Sequence, residues 1–236
     1  MKRTPVLNKY GEVRFKSVTA SVSDSSPNFA NVIIFCYPPN TQLQYLCAPK
    51  ISTMSLASDA KITLTGDLGS GKSAVSSILC EKTGFEYLST GRIQRKIAED
   101  MGVDTLELNR LADTDPSIDE RIDSVFISLA NDPKGYVVDS RMAWFFIPRS
   151  FKVYLQTDVH VAAQRIMNDP NRSREQYTSE EEAIEKILAR KASENARFLS
   201  KYGADCASMD NFDLVIDTTS RTREEVAELI LRAAGA

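Results

Sequence analysis

The chain has 236 residues, 42% of them hydrophobic, with a formal net charge of -3 and a sequence pI near 5.4. This length and composition suffice for one domain with a sizeable core. The acidic balance argues against a general nucleic-acid binder, which usually carries a basic patch and a high pI. An anionic ligand must therefore be met by basic residues that are placed locally.

The cysteines and the single histidine restrict the metal chemistry and indicate the compartment. Cys36, Cys47, Cys80 and Cys206 show no CxxC pair or metal-like spacing, and His160 is the only histidine, so we do not expect a structural zinc site. No apolar run reaches the roughly 18 residues of a membrane span, and the first residues lack the apolar stretch of a signal peptide. We therefore expect reduced thiols in a cytoplasmic protein that has no membrane or nucleic-acid partner.

The first 57 residues differ in texture from the rest of the chain. They contain clusters of serine, proline, asparagine and threonine without a sustained helical or strand period. This predicts a poorly ordered extension over 1–57, ahead of a domain over 58–236; a loosely packed N-terminal segment is the alternative. Met54 is a candidate translation start, and detection of peptides from 1–50 in the native protein would exclude it.

From residue 61 onward, strand and helix patterns alternate in the way that builds a parallel sheet covered by helices. The predicted strands are the runs I-T-L-T, F-E-Y-L, G-Y-V-V-D-S, F-K-V-Y-L-Q-T and D-L-V-I-D-T, which are rich in β-branched and aromatic residues. The fold is therefore predicted to be α/β, with three layers and about five parallel strands.

Helical patterns fill the segments between these strands. The helix after the first strand is predicted to end at Gly84 in a left-handed cap. A capping box formed by Ser179 and Glu182 opens a long helix over 179–202, and a last helix is predicted over 223–234. The predicted packing face of the long helix consists of Ile184, Ile187 and Leu188.

The stretch G-D-L-G-S-G-K-S, residues 66–73, matches the P-loop pattern in full and lies where that pattern requires, after a strand and before an amphipathic helix. Its glycines let backbone N–H groups wrap around phosphate oxygens, and the helix N-terminus adds partial positive charge. Lys72 is predicted to reach the β- and γ-phosphates of a nucleotide, and the Ser73 hydroxyl to ligate Mg²⁺. The predicted nucleotide-binding residues are Gly66, Asp67, Leu68, Gly69, Ser70, Gly71, Lys72, Ser73 and Ala74.

A P-loop alone does not separate a kinase from a nucleotide switch or a motor. The sequence contains no N-K-x-D guanine signature and no long apolar strand that ends in D-E. The GTPase and motor ATPase classes therefore have little support. The residues that follow the P-loop must distinguish between the remaining classes of protein.

The stretch S-T-G-R-I-Q-R, residues 89–95, resembles the S-[TA]-G-D-x-x-R motif of nucleoside monophosphate kinases. In that family the arginine grips the α-phosphate of the acceptor, and Arg95 holds the matching position. The resemblance implies that Ser89, Gly91 and Arg95 bind the acceptor. The departure is Arg92, which stands where the family usually has aspartate.

Three further stretches narrow the resemblance to the cytidylate kinases of the archaeal type. Residues 115–123 resemble their D-P-E-I-D-x-x-x-D helix, residues 137–144 their V-V-x-E-G-R-L-A-G-W, and residues 189–205 their R-E-x-S-E-x-x-R-Y-x-x-x-Y-G-I-D. Arg141 stands on the phosphate-binding arginine of the second motif. The matches cover nearly everything from residue 61 to 231 and none of the first 57 residues.

Bringing two phosphate groups together against their mutual repulsion needs arginines from several directions. The resemblance implies that Arg141, Arg190 and Arg197 act with Lys72 on the transferring group. It also implies that Arg141 and Arg190 bind the acceptor, and that Asp139 is an acid near the Mg²⁺ waters or the acceptor. Arg190, Glu194 and Arg197, at i, i+4 and i+7 of the long helix, share one face. Spacing alone leaves open that this is a solvated charged face, and that Asp139 is buried and hydrogen-bonded.

The polar stretch D-P-N-R-S-R-E-Q-Y, residues 169–177, lies between two helical patterns. The resemblance implies that it is a lid that closes over the nucleotide and excludes water. Arg165 matches the arginine at the base of that lid, where it lies against the adenine of ATP. Arg172 and Arg174 are candidates for phosphate contacts, with ordinary exposed loop positions as the alternative.

The sequence thus predicts a P-loop kinase with a helical acceptor-binding insert and a lid. We expect a monomer that uses ATP and Mg²⁺ to phosphorylate a small nucleotide, CMP or dCMP. Two alternatives stay open: another small-molecule kinase of the adenylate, shikimate or dephospho-coenzyme A type, and a non-catalytic nucleotide-binding switch. Cytosine and uracil differ by an amine against a carbonyl, which several polar side chains can read, so the sequence does not determine the base.

Overall fold

Strands and helices alternate along the chain in the computed structural model, which describes residues 6–7, 13–14, 56–112, 115–169 and 177–235. The strands are β1 (Val6–Leu7), β2 (Val13–Arg14), β3 (Lys61–Gly66), β4 (Glu86–Ser89), β5 (Tyr136–Asp139), β6 (Phe151–Gln156) and β7 (Leu214–Asp217). The helices are α1 (Lys72–Thr83), α2 (Thr90–Met101), α3 (Thr105–Ala112), α4 (Pro116–Leu129), α5 (Ala143–Phe146), α6 (Val159–Met167), α7 (Glu180–Tyr202) and α8 (Arg223–Ala234).

The last five of these strands form one parallel sheet in the order β4-β5-β3-β6-β7. Strand β3 is central and buried along its whole length, which explains its unbroken run of strand-forming residues. Because β5 and β6 flank it, the loops after these three strands open at the same edge of the sheet. The predicted five-stranded parallel sheet is confirmed.

Helices cover both faces of this sheet, as the prediction of three layers requires. On one face, α1 and α8 pack against the central strands through Val75, Leu79, Val226, Ala227 and Ile230. On the other face, α2, α3, α4 and α5 enclose a second cluster with Val138 of β5. Helices α2 to α4 lie between β4 and β5 in the chain, which is the position of the predicted helical insert.

Helix α7 packs against α6 through small side chains. Ala162, Ala163 and Ile166 of α6 form a buried cluster with Ala183 and Ile187 of α7. Small residues allow this close approach, but they cover only a narrow stripe of α7. The predicted inward position of Leu188 is therefore wrong: the residue is 51% exposed, since it lies about 100° around the helix from Ile187.

The helix ends follow the predicted capping with one difference. Gly84 adopts φ 74° and donates its N–H to the carbonyl of Cys80, as expected of a left-handed cap. At the start of α7, the Ser179 hydroxyl accepts from the N–H of Glu182. The Glu182 carboxylate, however, accepts from the N–H and the hydroxyl of Thr178, at 2.8 and 2.6 Å, so the return bond reaches one residue before the cap.

The buried amine of Lys61 fixes the start of the central strand. Its Nζ donates to the carbonyl oxygens of Asp59, Asp132 and Lys134 at 2.5, 2.7 and 2.8 Å. These contacts connect the beginning of β3 to the turn before β5, and so they fix the position of the central strand relative to its neighbour.

Near the N-terminus, β1 and β2 form a two-residue antiparallel pair, with Val6 opposite Arg14 and Leu7 opposite Val13. The predicted poor order of 1–57 falls mostly outside the described residues, as does Met54, and both stay predictions. In the part of the chain that the structure describes, no helix is long and apolar enough to cross a membrane.

Candidate active site

The P-loop joins β3 to α1, and its glycines are required by what lies around them. Gly66, Gly69 and Gly71 have φ values of 147°, 74° and 86°. A Cβ added at Gly66 would lie 2.2 Å from the carbonyl oxygen of Leu155, and one at Gly69 would lie 2.8 Å from Cα of Ala162. The loop is therefore pressed against β6 and α6, where only glycine fits.

Lys72, the P-loop lysine, folds back over its own loop. Its Nζ donates to the carbonyl oxygens of Gly66 and Asp67 at 2.9 and 2.7 Å. The ammonium group is thus held at the loop, where it can exchange these carbonyls for the oxygens of a bound phosphate.

The Ser73 hydroxyl and the Asp139 carboxylate meet between α1 and the end of β5. Ser73 Oγ donates to Asp139 Oδ2 at 2.9 Å, and the Tyr87 hydroxyl lies 3.4 Å from the same oxygen. Burial and the negative charge of Asp139 raise the pKa of Tyr87. Two clustered oxygen ligands suit Mg²⁺, which binds through one or two protein groups plus phosphates and water. Among the described residues no group of three or more His, Cys, Asp or Glu could hold a metal ion by itself.

Asp67, predicted as a P-loop member, uses its side chain to hold the loop. The carboxylate accepts from the Tyr154 hydroxyl at 2.8 Å, from the N–H of Thr157 at 3.1 Å and from Lys191 Nζ at 2.7 Å. Burial and the charge of Asp67 raise the pKa of Tyr154. Tyr154 and Lys191 could not be predicted from the sequence, because no local pattern relates them to the P-loop.

Arg165 lies in the last turn of α6 and connects two loops. Its Nη1 donates to the carbonyl oxygen of Gly69 at 3.3 Å, and its Nη2 to those of Thr218 and Thr219 at 2.8 and 3.2 Å. The predicted position beside the nucleotide-binding loop is consistent with these contacts, while its contact with adenine stays a prediction. Residues 170–176 of the predicted lid, which include Arg172 and Arg174, lie outside the described residues.

Arg141 and Arg190 come from different elements and share one carboxylate. Glu194 of α7 lies 2.6 Å from Arg141 Nε through Oε2 and accepts from Arg190 Nε at 2.8 Å through Oε1. The side chains of Arg141 and Glu194 are 20% and 25% exposed, whereas that of Arg190 is 50% exposed. Arg190 and Glu194, one turn apart on α7, thus form an ion pair that Arg141 joins.

The short segment that carries Arg141 is fixed by its neighbours. The Ser140 hydroxyl accepts from Thr90 Oγ1 at 2.9 Å and from the N–H groups of Met142 and Ala143. Indole Nε1 of Trp144 donates to the Arg141 carbonyl oxygen at 2.8 Å. These bonds hold the backbone of Arg141 and direct its side chain toward α7.

Arg197 lies away from the Arg141–Glu194–Arg190 cluster. Its Nη2 donates to Asp119 Oδ2 of α4 at 2.7 Å, and Lys201 Nζ donates to the same oxygen at 2.5 Å. Seven helical residues span about 10 Å, so Arg197 sits two turns farther along α7 than Arg190 and reaches the helical insert. The structure therefore does not bring Arg197 together with the other predicted arginines.

The predicted acceptor residues lie at the start of α2. The Ser89 hydroxyl caps this helix by accepting from the N–H of Arg92 at 3.3 Å. A Cβ added at Gly91 would lie 3.5 Å from Arg95 Nη1, so the Arg95 guanidinium lies over the first turn. Arg92 Nη1 donates to the Tyr87 carbonyl at 2.8 Å. Arg92, which differs from the aspartate of the family motif, is thus held against β4, beside the predicted acceptor residues.

One edge of the sheet gathers most of these groups. The P-loop follows β3, Asp139 ends β5, Ser89 ends β4 and Arg165 bonds to the loop after β7. Helix α7 reaches that edge through the bonds of Lys191 and Glu194. The arrangement joins a loop shaped for phosphates to a set of cations on a separate helix, as phosphoryl transfer requires.

Residues 61–220 match the model of the cytidylate kinase-like family. A cytidylate kinase from Sulfolobus acidocaldarius is 38% identical over 173 residues, which are 72% of this chain and 92% of that protein. The cytidylate kinase of Ignicoccus hospitalis is 37% identical over 172 residues, covering 72% and 96%. An S-adenosylmethionine-dependent nucleotide dehydratase from Lacinutrix mariniflava is 36% identical over 172 residues, but these are only 35% of its length.

Solved structures show the same fold at low sequence identity. An uncharacterized protein from Eubacterium ventriosum superposes with a TM-score of 0.57 at 15% identity, over 75% of this chain and 99% of that one. The shikimate kinase of Bacteroides thetaiotaomicron superposes with a TM-score of 0.51 at 15% identity, over 73% and 94%. The family match over residues 61–220 and the relatives at 38% and 37% identity show that the chain belongs to the cytidylate kinase-like family of P-loop nucleoside monophosphate kinases.

Proposed function

We propose that this chain transfers the γ-phosphoryl group of ATP, in the presence of Mg²⁺, to CMP or dCMP. The observation that carries the proposal is the cluster of Arg141 and Arg190 around Glu194. Arg190 directly precedes Lys191, the residue of α7 that contacts the P-loop. A nucleotide switch has no need for two arginines that face its triphosphate from separate elements, whereas a kinase needs them to offset the repulsion between two phosphate groups. The curated relatives at 38% and 37% identity are named cytidylate kinases.

The donor half of the proposed site is the P-loop with its neighbours. The β- and γ-phosphates of ATP lie in the loop, and Lys72 exchanges its carbonyl contacts for phosphate oxygens. Ser73 and Asp139 provide the protein oxygens for Mg²⁺, directly or through water. Arg165, between the P-loop and the loop after β7, borders the adenine.

The acceptor half is built from arginines. Arg95 and Arg141 hold the acceptor phosphate, and Arg190 neutralises the transferring group. An acceptor phosphate oxygen attacks the γ-phosphorus in line, the bond to the β,γ-bridging oxygen breaks, and ADP leaves with that electron pair. The attacking oxygen is already ionised, so the site needs no general base. Arg197 also neutralises the transferring group, for which its side chain must leave Asp119.

An assay of ADP formation with a panel of acceptors tests the proposal. We expect the highest kcat/KM with CMP and dCMP, and lower values with UMP, AMP, GMP, shikimate and dephospho-coenzyme A. Preference for one of the last two would assign a different kinase activity. Tight ATP binding with transfer to none of them would replace the kinase by a nucleotide-binding switch.

Arg141→Ala tests the acceptor half. A hydrogen bond to a charged group contributes about 1.5–3 kcal/mol, so the KM for CMP should rise about 10- to 100-fold while the affinity for ATP changes little. Arg232→Ala, on an exposed arginine of α8 that pairs with Glu228, is the matched control and should leave both values near those of the wild type. An unchanged KM for CMP in the Arg141 variant would remove this residue from the acceptor site.

We also propose that the protein acts as a cytoplasmic monomer. Both cysteines in the described part of the chain, Cys80 and Cys206, are free thiols, and this is typical of proteins kept in a reducing compartment. Light scattering coupled to size exclusion tests the monomer: a mass near 26.2 kDa is expected, and a mass of twice that value would contradict it.

A further inference from the structure

A lysine of α7 contacts the P-loop directly. Lys191 Nζ lies 2.7 Å from Asp67 Oδ1, and the two side chains are 38% and 12% exposed. Asp67 follows the first glycine of the P-loop, whereas Lys191 lies 124 residues later in the chain. This ion pair is therefore a direct link between α7 and the loop that receives the donor phosphates.

The Asp67 carboxylate fastens the P-loop to the sheet. Its two oxygens accept from the Tyr154 hydroxyl and from the N–H of Thr157, both of which belong to β6 or the residue after it. The backbone of Asp67 adds a further bond, from its N–H to the Leu155 carbonyl at 2.9 Å. Movement of this carboxylate would therefore move the loop.

The same residue supports the P-loop lysine. The carbonyl oxygen of Asp67 accepts from Lys72 Nζ at 2.7 Å and from the Ser70 hydroxyl at 2.7 Å. The position of Lys72 thus depends on the backbone of Asp67, which depends in turn on where the Asp67 carboxylate is held.

Asp67 also places a largely buried negative charge beside a site for polyphosphate. A buried carboxylate without a cation is costly, and it would repel the phosphates across a poorly screened distance. The amine of Lys191 neutralises this charge at 2.7 Å. Arg190 and Glu194, on the same helix, form the arginine cluster with Arg141, so the ion pair also links that cluster to the P-loop.

We propose that Lys191 is a positioning residue for the donor nucleotide, which it serves by neutralising Asp67 and holding the P-loop through that carboxylate. The inference rests on the proposed function for the identity of the donor, ATP. It goes beyond the proposed function by assigning a role to a residue that lies outside the P-loop motif and outside the predicted arginines.

The test compares Lys191→Met in two backgrounds, the wild type and Asp67→Asn. Binding of β,γ-imido-ATP with Mg²⁺, measured by calorimetry without acceptor, should weaken about tenfold in the wild-type background, because the bare carboxylate then repels the phosphates. In the Asp67→Asn background the same change should cost less than threefold, since no charge remains to be neutralised. The KM for ATP should follow this pattern, and the KM for the acceptor should change less than threefold.

Two further variants separate this role from general destabilisation. Lys191→Arg keeps the charge and should restore binding to within threefold of the wild type. Lys186→Met, on an exposed lysine of the same helix, is the matched control and should leave binding unchanged. Thermal unfolding of each variant without nucleotide shows whether the fold is kept, and a Lys191→Met protein that fails to fold leaves the arginine variant and the Asp67→Asn pair to decide.

Distinct results would overturn the inference. An equal loss in both backgrounds would make Lys191 a direct phosphate ligand, and no loss in either would leave the ion pair without a role in nucleotide binding. Failure of CMP to accept phosphate would contradict the proposed function alone, because binding of β,γ-imido-ATP is measured without an acceptor.

Discussion

The P-loop and α7 bring charged groups to the same site by different means. The P-loop does so with its backbone, through three glycines at positive φ within eight residues and close contact with β6 and α6. Helix α7 does so with side chains, each paired to a residue far away in sequence: Lys191 to Asp67 and Arg197 to Asp119, at separations of 124 and 78 residues. The first arrangement depends on local sequence, and the second on how the chain folds.

This difference has an energetic consequence. A Cβ at Gly66 or Gly69 would clash with backbone atoms that cannot move cheaply, so these two positions hold the P-loop tightly against β6 and α6. The side chains of Arg190 and Arg197 on α7 are about half exposed, whereas those of their partners Glu194 and Asp119 are 25% and 15% exposed. Each carboxylate also has a second cation, Arg141 for Glu194 and Lys201 for Asp119, so either arginine can turn to phosphate oxygens without leaving a carboxylate unpaired.

The largest effect is expected at Lys72, the P-loop side chain that is proposed to contact the transferring phosphate. Lys72→Ala should lower kcat by about 100- to 1,000-fold or more, because removal of one preorganised donor to the developing charge costs that much in other enzymes. The measurement is ADP formation at saturating ATP and acceptor.

Lys82→Ala is the matched control, since Lys82 lies on the same helix and pairs with Glu228 at the surface, at 3.8 Å. It should keep kcat within about twofold, as exposed pairs contribute little. If the Lys72 variant also kept its kcat, the P-loop lysine would not take part in phosphoryl transfer, and the P-loop would act through its backbone alone.

The steric nature of the P-loop is tested by a pair of glycines. Gly69→Ala should lower the free energy of unfolding by about 3 kcal/mol or more, since it adds backbone strain at φ 74° and a Cβ 2.8 Å from the Ala162 Cα. Gly102→Ala has a similar positive φ, 68°, but its Cβ meets no atom within 4 Å, so only about 1–2 kcal/mol is expected. Urea unfolding measures both, and equal losses would show that φ alone requires glycine at position 69.

The same contrast explains what the sequence could and could not predict. The P-loop, the sheet strands and the caps at Gly84 and Ser179 are local: a few adjacent residues carry the steric or hydrogen-bonding reason, so the pattern is readable without the fold. The resemblance to the family added the positions of Arg95 and Arg141, because a motif keeps a residue's place even where no physical rule predicts its partner.

Features that depend on where α7 packs in the fold could not be predicted in this way. Helical spacing placed Arg190 and Arg197 on one face, but it does not say that the first meets Glu194 with Arg141 while the second meets α4. Leu188 was expected inside because it adjoins Ile187 in the apolar pattern, and only the small residues of α6 show how narrow the buried stripe is.

The smallest effect concerns the far end of α7, where Tyr202 donates to Asp123 Oδ2 of α4 at 2.8 Å. Burial raises the pKa of Asp123 above its ordinary value, so the folded state binds this proton more tightly than the unfolded chain. The stability that results is complete below the unfolded pKa of about 3.9 and is lost as the pH rises through the folded value.

Asp123→Asn cannot ionise, so its melting temperature should rise relative to that of the wild type as the pH rises from about 4. Because the carboxyl is partly exposed, solvent screening limits the gain to roughly one or two degrees. A melting-temperature difference that does not change with pH would show that the Tyr202 hydrogen bond offsets the burial of Asp123, and that this end of α7 is held without an electrostatic penalty.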